Sequence, residues 1–299
     1  MANQPSRSIS LPSREHPCSV RIEALLNHLK TFQSSPISVV PYEFETIQAS
    51  LVGLAELYSC VEELIASPST QQALLPSTKH GKVVEQALEG SITLLDTCNI
   101  ARDIMLTMKE QVQTLQSALR RKGRDSSIET SIHTYLCFRK KAKKDIAKCL
   151  GGLKRMETKA TASQQQQQQQ GLVELSMVEK TLRETSSITI SIFRLLLKFI
   201  MAMPTTPSAM ASGWSLISKM VRMKSLSYEK EETNTVNLVE GVDVCLHSLM
   251  GNIQSNGLEM SQRMLQALDS SSEGILAGLN SMFRCLVQNR VSLLNIITQ

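Results

Sequence analysis

Aromatic residues make up only 4% of this 299-residue chain, and no stretch alternates cleanly between apolar and polar side chains. β-Sheets draw on Tyr, Phe, Trp and Thr in period-two runs, so both absences argue against a β fold. The seven cysteines, at 18, 60, 98, 137, 149, 245 and 285, contain no C-x-x-C pair. Their number is odd and the chain is too long for a disulfide-stapled mini-fold. They read as reduced thiols filling helix interfaces in a reducing compartment. There is no N-x-S/T sequon and no apolar leader near the N-terminus, which fits an intracellular protein. A G-x-S-x-G elbow and a Gly-rich phosphate loop are missing, and none of the five histidines sits in a catalytic motif. The expectation is a non-enzymatic protein with no cofactor. The most apolar segment, "ITISIFRLLLKFIMAM" (188–203), is interrupted by Arg194 and Lys198 and falls short of the ~20 residues that cross a bilayer. It reads as a buried bundle helix, with an interfacial helix whose cations snorkel to head groups as the alternative.

What the chain does have is leucine and methionine at helical spacing. Apolar residues are 42% and charged residues 20%, enough to build a core. Three-and-four spacing starts at "VRIEALLNHLKTF" and returns over roughly 42–66, with Pro68 as a stop. Ser69-x-x-Gln72 reads as a capping box for a short turn. The stripe over 80–121 is the longest, running from Val84 to Leu119 with Arg102 as its main intruder. A stripe of that length requires partner helices. Ser126-x-x-Glu129 opens a further helix to about Lys159, which Gly151-Gly152 would kink. The tract "SQQQQQQQG" (163–171) reads as a flexible insertion or frayed extension. Helical pattern resumes over 172–203, and "MPTTPSAMASG" (203–213) breaks it. Two closing helices are expected over about 235–268 and 271–297, separated by a Ser270-x-x-Glu273 cap. The resulting expectation is an all-α, elongated antiparallel helical bundle: a disordered tail over 1–18, then one domain over 19–299.

The formal charge of +5 is local. Between Arg120 and Lys148 lie ten Lys/Arg and three Asp/Glu, so the rest of the chain is slightly acidic. Arg120, Arg121 and Lys122 close one helix; Arg139, Lys140, Lys141, Lys143 and Lys144 ride the next. Such a run is either a plain solvated face or a site for anions: an anionic membrane, an acidic partner or nucleic acid. Tyr135 and Phe138 are the only aromatics there, too few for base stacking, so nucleic acid is disfavoured. Arg120 and Arg121 also suit the negative end of a helix. His133 and Cys137 stand four apart on the same helix, but structural zinc needs four ligands and no second pair lies near in sequence; no metal is expected.

Seven stretches together resemble the plant-specific Bypass-like family: "RSISLPSREHP" (7–17), "GLAELYSCVEELI.SPSTQQAL" (53–74), "EGSITLLDTCNIARDIML" (89–106), "QSALRRKGRDSSIE" (116–129), "YLCFRKKAKKDI.K.L..LK" (135–154), "WSLISKMV" (214–221) and "FRCLVQNRVSLLNI" (283–296), where a dot marks a position that carries no resemblance. They follow in family order over almost the whole chain, and the Gln tract departs from the pattern. The resemblance implies a role in root and shoot development and assigns no catalytic residue. The expectation is an interaction or regulatory scaffold, docking partners on the basic face or in an apolar groove between helices. The alternative is a peripheral membrane protein binding anionic lipid through residues 120–148. One related group carries a chloroplast label. The N-terminus shares the acid-poor, Ser- and Arg-rich composition of a transit peptide but lacks an amphipathic arginine helix, so the cytoplasm is the expected compartment.

Within the first stretch, Arg7-Ser8-x-Ser10-x-Pro12 has the layout that basophilic kinases and 14-3-3-type adaptors accept. Phosphate on Ser8 or Ser10 would add roughly −2 charge and pair with an arginine cluster on an adaptor or with the basic 120–148 face. The plain alternative is slack chain ahead of the first helix.

Overall fold

The computed structural model describes residues 17–34, 44–74, 81–121, 126–169, 177–201, 237–251 and 255–298. They form eight helices and, among the described residues, no strand. The helices are α1 (Pro17–Ser34), α2 (Phe44–Ala66), α3 (Pro68–Leu74), α4 (Gly81–Arg120), α5 (Ser126–Gln169), α6 (Met177–Met201), α7 (Leu238–Gly251) and α8 (Ser255–Ile297). The fold is all-α. One contiguous apolar core takes residues from all eight, among them Leu29, Leu54, Leu74, Met105, Leu153, Phe193, Val239 and Leu279.

The 40-residue α4 is the axis of the bundle. Its predicted stripe is buried: Val84, Cys98, Met105, Met108, Val112, Leu115 and Leu119 are all at most 1% exposed. Two long helices flank it. α8 runs antiparallel along one side: Arg290 reaches the Leu88 carbonyl, the Cys98 thiol donates to the Leu279 carbonyl, and Gln113 donates to Asp269. α5 runs antiparallel along the other, where Lys159 pairs with Glu89 and Gly152 lies against Thr93. Arg102, the intruder in the α4 stripe, lies over the Phe283 ring 4.7 Å from its centroid and donates to Asn99. Its cation is thus accommodated at the α4–α8 border without entering the core.

Consecutive helices are antiparallel where their contacts define a direction. Non-consecutive helices also pair in parallel, as α2 and α8 do where Gln48 meets Gly274, Leu51 meets Gly278, Cys285 meets Ala55, and Ser292 meets Glu62. A Cβ on Gly278 would stand 3.0 Å from Leu51 side-chain atoms, so the glycine permits this close approach.

Several boundaries differ from the sequence expectations. The cap of α3 is Ser67, whose hydroxyl accepts from the Thr70 N–H and whose carbonyl accepts from Gln71, not Ser69. Pro68 then falls at the first helical position, where its missing N–H costs nothing. The expected break at Ser270-x-x-Glu273 does not exist, because α8 is one 43-residue helix. Buried Ser272 donates to the Leu268 carbonyl at 2.5 Å, so its hydroxyl is satisfied inside the helix. Gly274 and Gly278, in the same stretch, serve the contact with α2 and do not end a segment. α5 passes through Gly151-Gly152 and continues to Gln169, ten residues beyond its expected end.

The thiols are mostly interface fillers. Cys60, Cys98 and Cys149 are buried, while Cys18, Cys245 and Cys285 are half-buried. Burial pushes the Cys98 thiol up to about 12, which keeps it protonated at neutral pH. Cys137 is the exception and faces solvent.

Candidate functional site: the two faces of α5

α5 carries the basic run, and its 3.6-residue period divides that run in two. Ile132, Tyr135, Arg139, Ala142, Ile146, Cys149 and Leu153 follow three-and-four steps and are buried. Lys140, Lys141, Lys144 and Lys148 fall between those steps and are exposed. A helix fixes this separation once one face packs.

Arg139 therefore corrects the sequence expectation. It is 2% exposed and does not belong to the solvent face. Its Nε donates to both carboxylate oxygens of Asp243 on α7, at 3.0 and 3.2 Å. Its Nη1 donates to the Ile200 carbonyl at 2.9 Å, in the last turn of α6, where carbonyls lack helical partners. The Tyr135 hydroxyl donates to Asp243 Oδ1 at 3.0 Å, and Lys143 Nζ lies 3.6 Å from Oδ2. A buried charge is tolerable only when paired and hydrogen-bonded, and Asp243 supplies that pairing from 104 residues away.

The node ties three helices together. Arg139 joins α5 to the end of α6 and, through Asp243, to α7. Asn237 adds a second tie: its Oδ1 accepts from the Val239 N–H, capping α7, while its Nδ2 donates to the Phe199 carbonyl at 2.8 Å. Burial, with the Asp243 charge as the second cause, pushes the Tyr135 phenol well above its usual range, so it stays a donor. Burial, reinforced by Asp243, likewise raises the Glu240 carboxyl, against a lowering by Lys143.

The remaining predicted positions fall as follows. Lys140, Lys141 and Lys144 are exposed, and Lys143 is 45% exposed while leaning on Asp243. Arg120 and Arg121 are exposed at the end of α4, and Arg121 Nε donates back to the Ser117 carbonyl. Lys122, Ser8 and Ser10 lie outside the described residues, as do the Pro-rich break and "WSLISKMV". His133 and Cys137 do share a face, 3.7 Å apart. Among the described residues, however, no group of three His, Cys, Asp or Glu is placed to hold a metal ion.

Residues 188–200 are packed inside the bundle: Ile188, Ile192, Phe193, Leu196, Leu197 and Ile200 are buried. Arg194 pairs with Glu157 of α5. The apolar face that an interfacial helix would present is covered by the bundle in this structure. Among the described residues no helix is long and apolar enough to cross a membrane.

Sequence reasoning missed Asp243, Asn237 and Glu240. Asp243 stands between Val242 and Val244 in "VEGVDVCLHSL", and a carboxylate flanked by two valines was the available signal.

No curated protein and no solved structure matches the chain. The family model described as Protein BPS1 matches residues 50–296, a span that includes both faces of α5, the Arg139 node and nearly all of α8. The chain belongs to this Bypass-like family, and membership makes it a plant protein of development.

Proposed function

We propose that this protein is a non-enzymatic interaction scaffold in plant development, and that it presents the outer face of α5 to an acidic protein partner. The observation that carries the proposal is the exposure of Lys140, Lys141 and Lys144 on a helix whose opposite face is clamped by Arg139. Exposed lysines on a fixed backbone form a cationic surface that steers acidic partners and needs no backbone ordering on binding. Lys148 contributes less, because Asp145 pairs with it at 3.1 Å. The same surface supports a second reading, attraction to an anionic membrane, worth about 1 kcal/mol per lysine near the surface. A 14-3-3-type adaptor reading phosphorylated Ser8 or Ser10 would be a separate contact.

Pulldown from root extract with the wild-type chain and with Lys140→Glu/Lys141→Glu/Lys144→Glu, beside co-sedimentation with anionic liposomes, tests the proposal. A protein retained by the wild type and lost with the triple variant, without liposome binding, supports the scaffold. Salt-sensitive liposome binding lost in the same variant supports the membrane reading. Partners retained by both forms remove the α5 face from the account.

A further inference from the structure

Nine large apolar side chains are exposed among the described residues, and six of them are scattered over five helices. The other three, Val287, Val291 and Leu294, follow one another in steps of four and three along the last turns of α8, exposed by 39%, 43% and 40%. That spacing is the seam by which one helix packs along another. The neighbouring exposed positions, Gln288, Asn295 and Thr298, are uncharged. The one charged residue in this stretch, Arg290, is turned away: its Nη1 donates to the Leu88 carbonyl and to Ser91 Oγ, both at 2.6 Å. Arg284, one turn before Val287, is exposed at the near end of the seam.

We infer that this face of α8 is the contact between two copies of the chain, antiparallel about a two-fold axis at Val291. Charge decides the occupant. A neutral stripe offers nothing to a basic or acidic partner, whereas it complements itself without like-charge repulsion, as an isologous interface requires. Charge also decides the direction. Parallel pairing would set Arg284 against Arg284 of the partner subunit. Antiparallel pairing centred on Val291 sets Val287 beside Leu294 of the partner subunit. It also sets Arg284 against the last turn of that helix, whose free carbonyls form its negative end.

A shallow groove of about 550 Å³ between α2 and α8, walled by Tyr58, Glu62, Phe283, Arg284, Val287 and Gln288, borders the seam and extends the contact. A seam of three side chains alone buries less than the ≈ 800 Å² per partner of a stable interface, so the dimer forms and dissociates with concentration.

The test is analytical ultracentrifugation of the full chain over a concentration series, joined to cysteine cross-linking in a Cys137→Ser background that removes the exposed native thiol. The expected mass rises from monomer to dimer with concentration, and Val291→Glu weakens association about tenfold or more. On mild oxidation Val291→Cys, at the axis, yields a disulfide-linked dimer. Val287→Cys does not, because its two copies would lie eight residues apart, ~12 Å along the helix, beyond the ~7 Å Cα limit of a disulfide. A monomer at every concentration overturns the proposal. So does a dimer indifferent to Val291→Glu, or equal cross-linking at both positions. Val291 is already exposed, so Val291→Glu leaves the helix content unchanged; if its circular dichroism nonetheless collapses, the two cysteine variants decide the matter alone.

Discussion

The α4–α8 seam and the α5–α6–α7 junction hold the bundle together by opposite means. The seam is long, antiparallel and mostly apolar, with Met105, Met108, Val112 and Leu115 all fully buried on α4. Its strength lies in area removed from water, which is large but indifferent to small shifts in register. The junction is short and polar, and one carboxylate receives a guanidinium, a phenol and an ammonium. Such a cluster adds little net stability compared with an apolar replacement, yet it tolerates only one arrangement of three helices. The seam makes the bundle stable, and the junction makes it specific.

The sharpest way to break that contrast is to remove one partner from each region. Arg139→Met strands Asp243 and the Ile200 carbonyl, and a loss of roughly 3–5 kcal/mol is expected by urea denaturation. The double variant Arg139→Met/Asp243→Leu should recover much of the loss, because no uncompensated charge remains. A purely additive double variant would show that the pair is not coupled. Leu115→Ala in the seam should cost about 2–5 kcal/mol, with no second-site rescue of that kind. The smallest effect is electrostatic. Glu240 has a raised carboxyl, so folding penalises its charged form. The penalty is fully present above the folded-state value and gone below the ordinary carboxyl range. Glu240→Gln should therefore raise Tm at neutral pH, and the gain should fade on acidification. A gain that persists at low pH would mean that burial and Asp243 do not set the carboxyl.

Much of this architecture was readable before any coordinates. The stripe from Val84 to Leu119 defined α4 because nothing but a helix satisfies three-and-four spacing over 40 residues. The Ser270–Glu273 stretch misled because the same letters serve a capping box or a hydroxyl bonded back to its own helix. Local sequence does not choose between the two, while the contact with α2 at Gly274 and Gly278 does. Arg139 was hidden in a run of cations, since its burial depends on Asp243 far along the chain. Its place on the stripe Tyr135, Arg139, Ala142, Ile146 was nevertheless visible and outweighs the charge of its neighbours. The parallel pairing of α2 with α8 had no sequence signal at all, because it joins segments more than 200 residues apart.

The division of α5 into an inner anchor and an exposed outer face is tested most directly by comparing charge removal on its two sides in one thermal unfolding experiment. Arg139→Gln should lower Tm by many degrees, whereas Lys140→Gln/Lys141→Gln/Lys144→Gln, which removes three charges, should leave Tm within a degree or two, as exposed positions do. If the triple lysine variant melts as early as Arg139→Gln, or if Arg139→Gln melts with the wild type, the cations of α5 do not divide into structure and surface in this way.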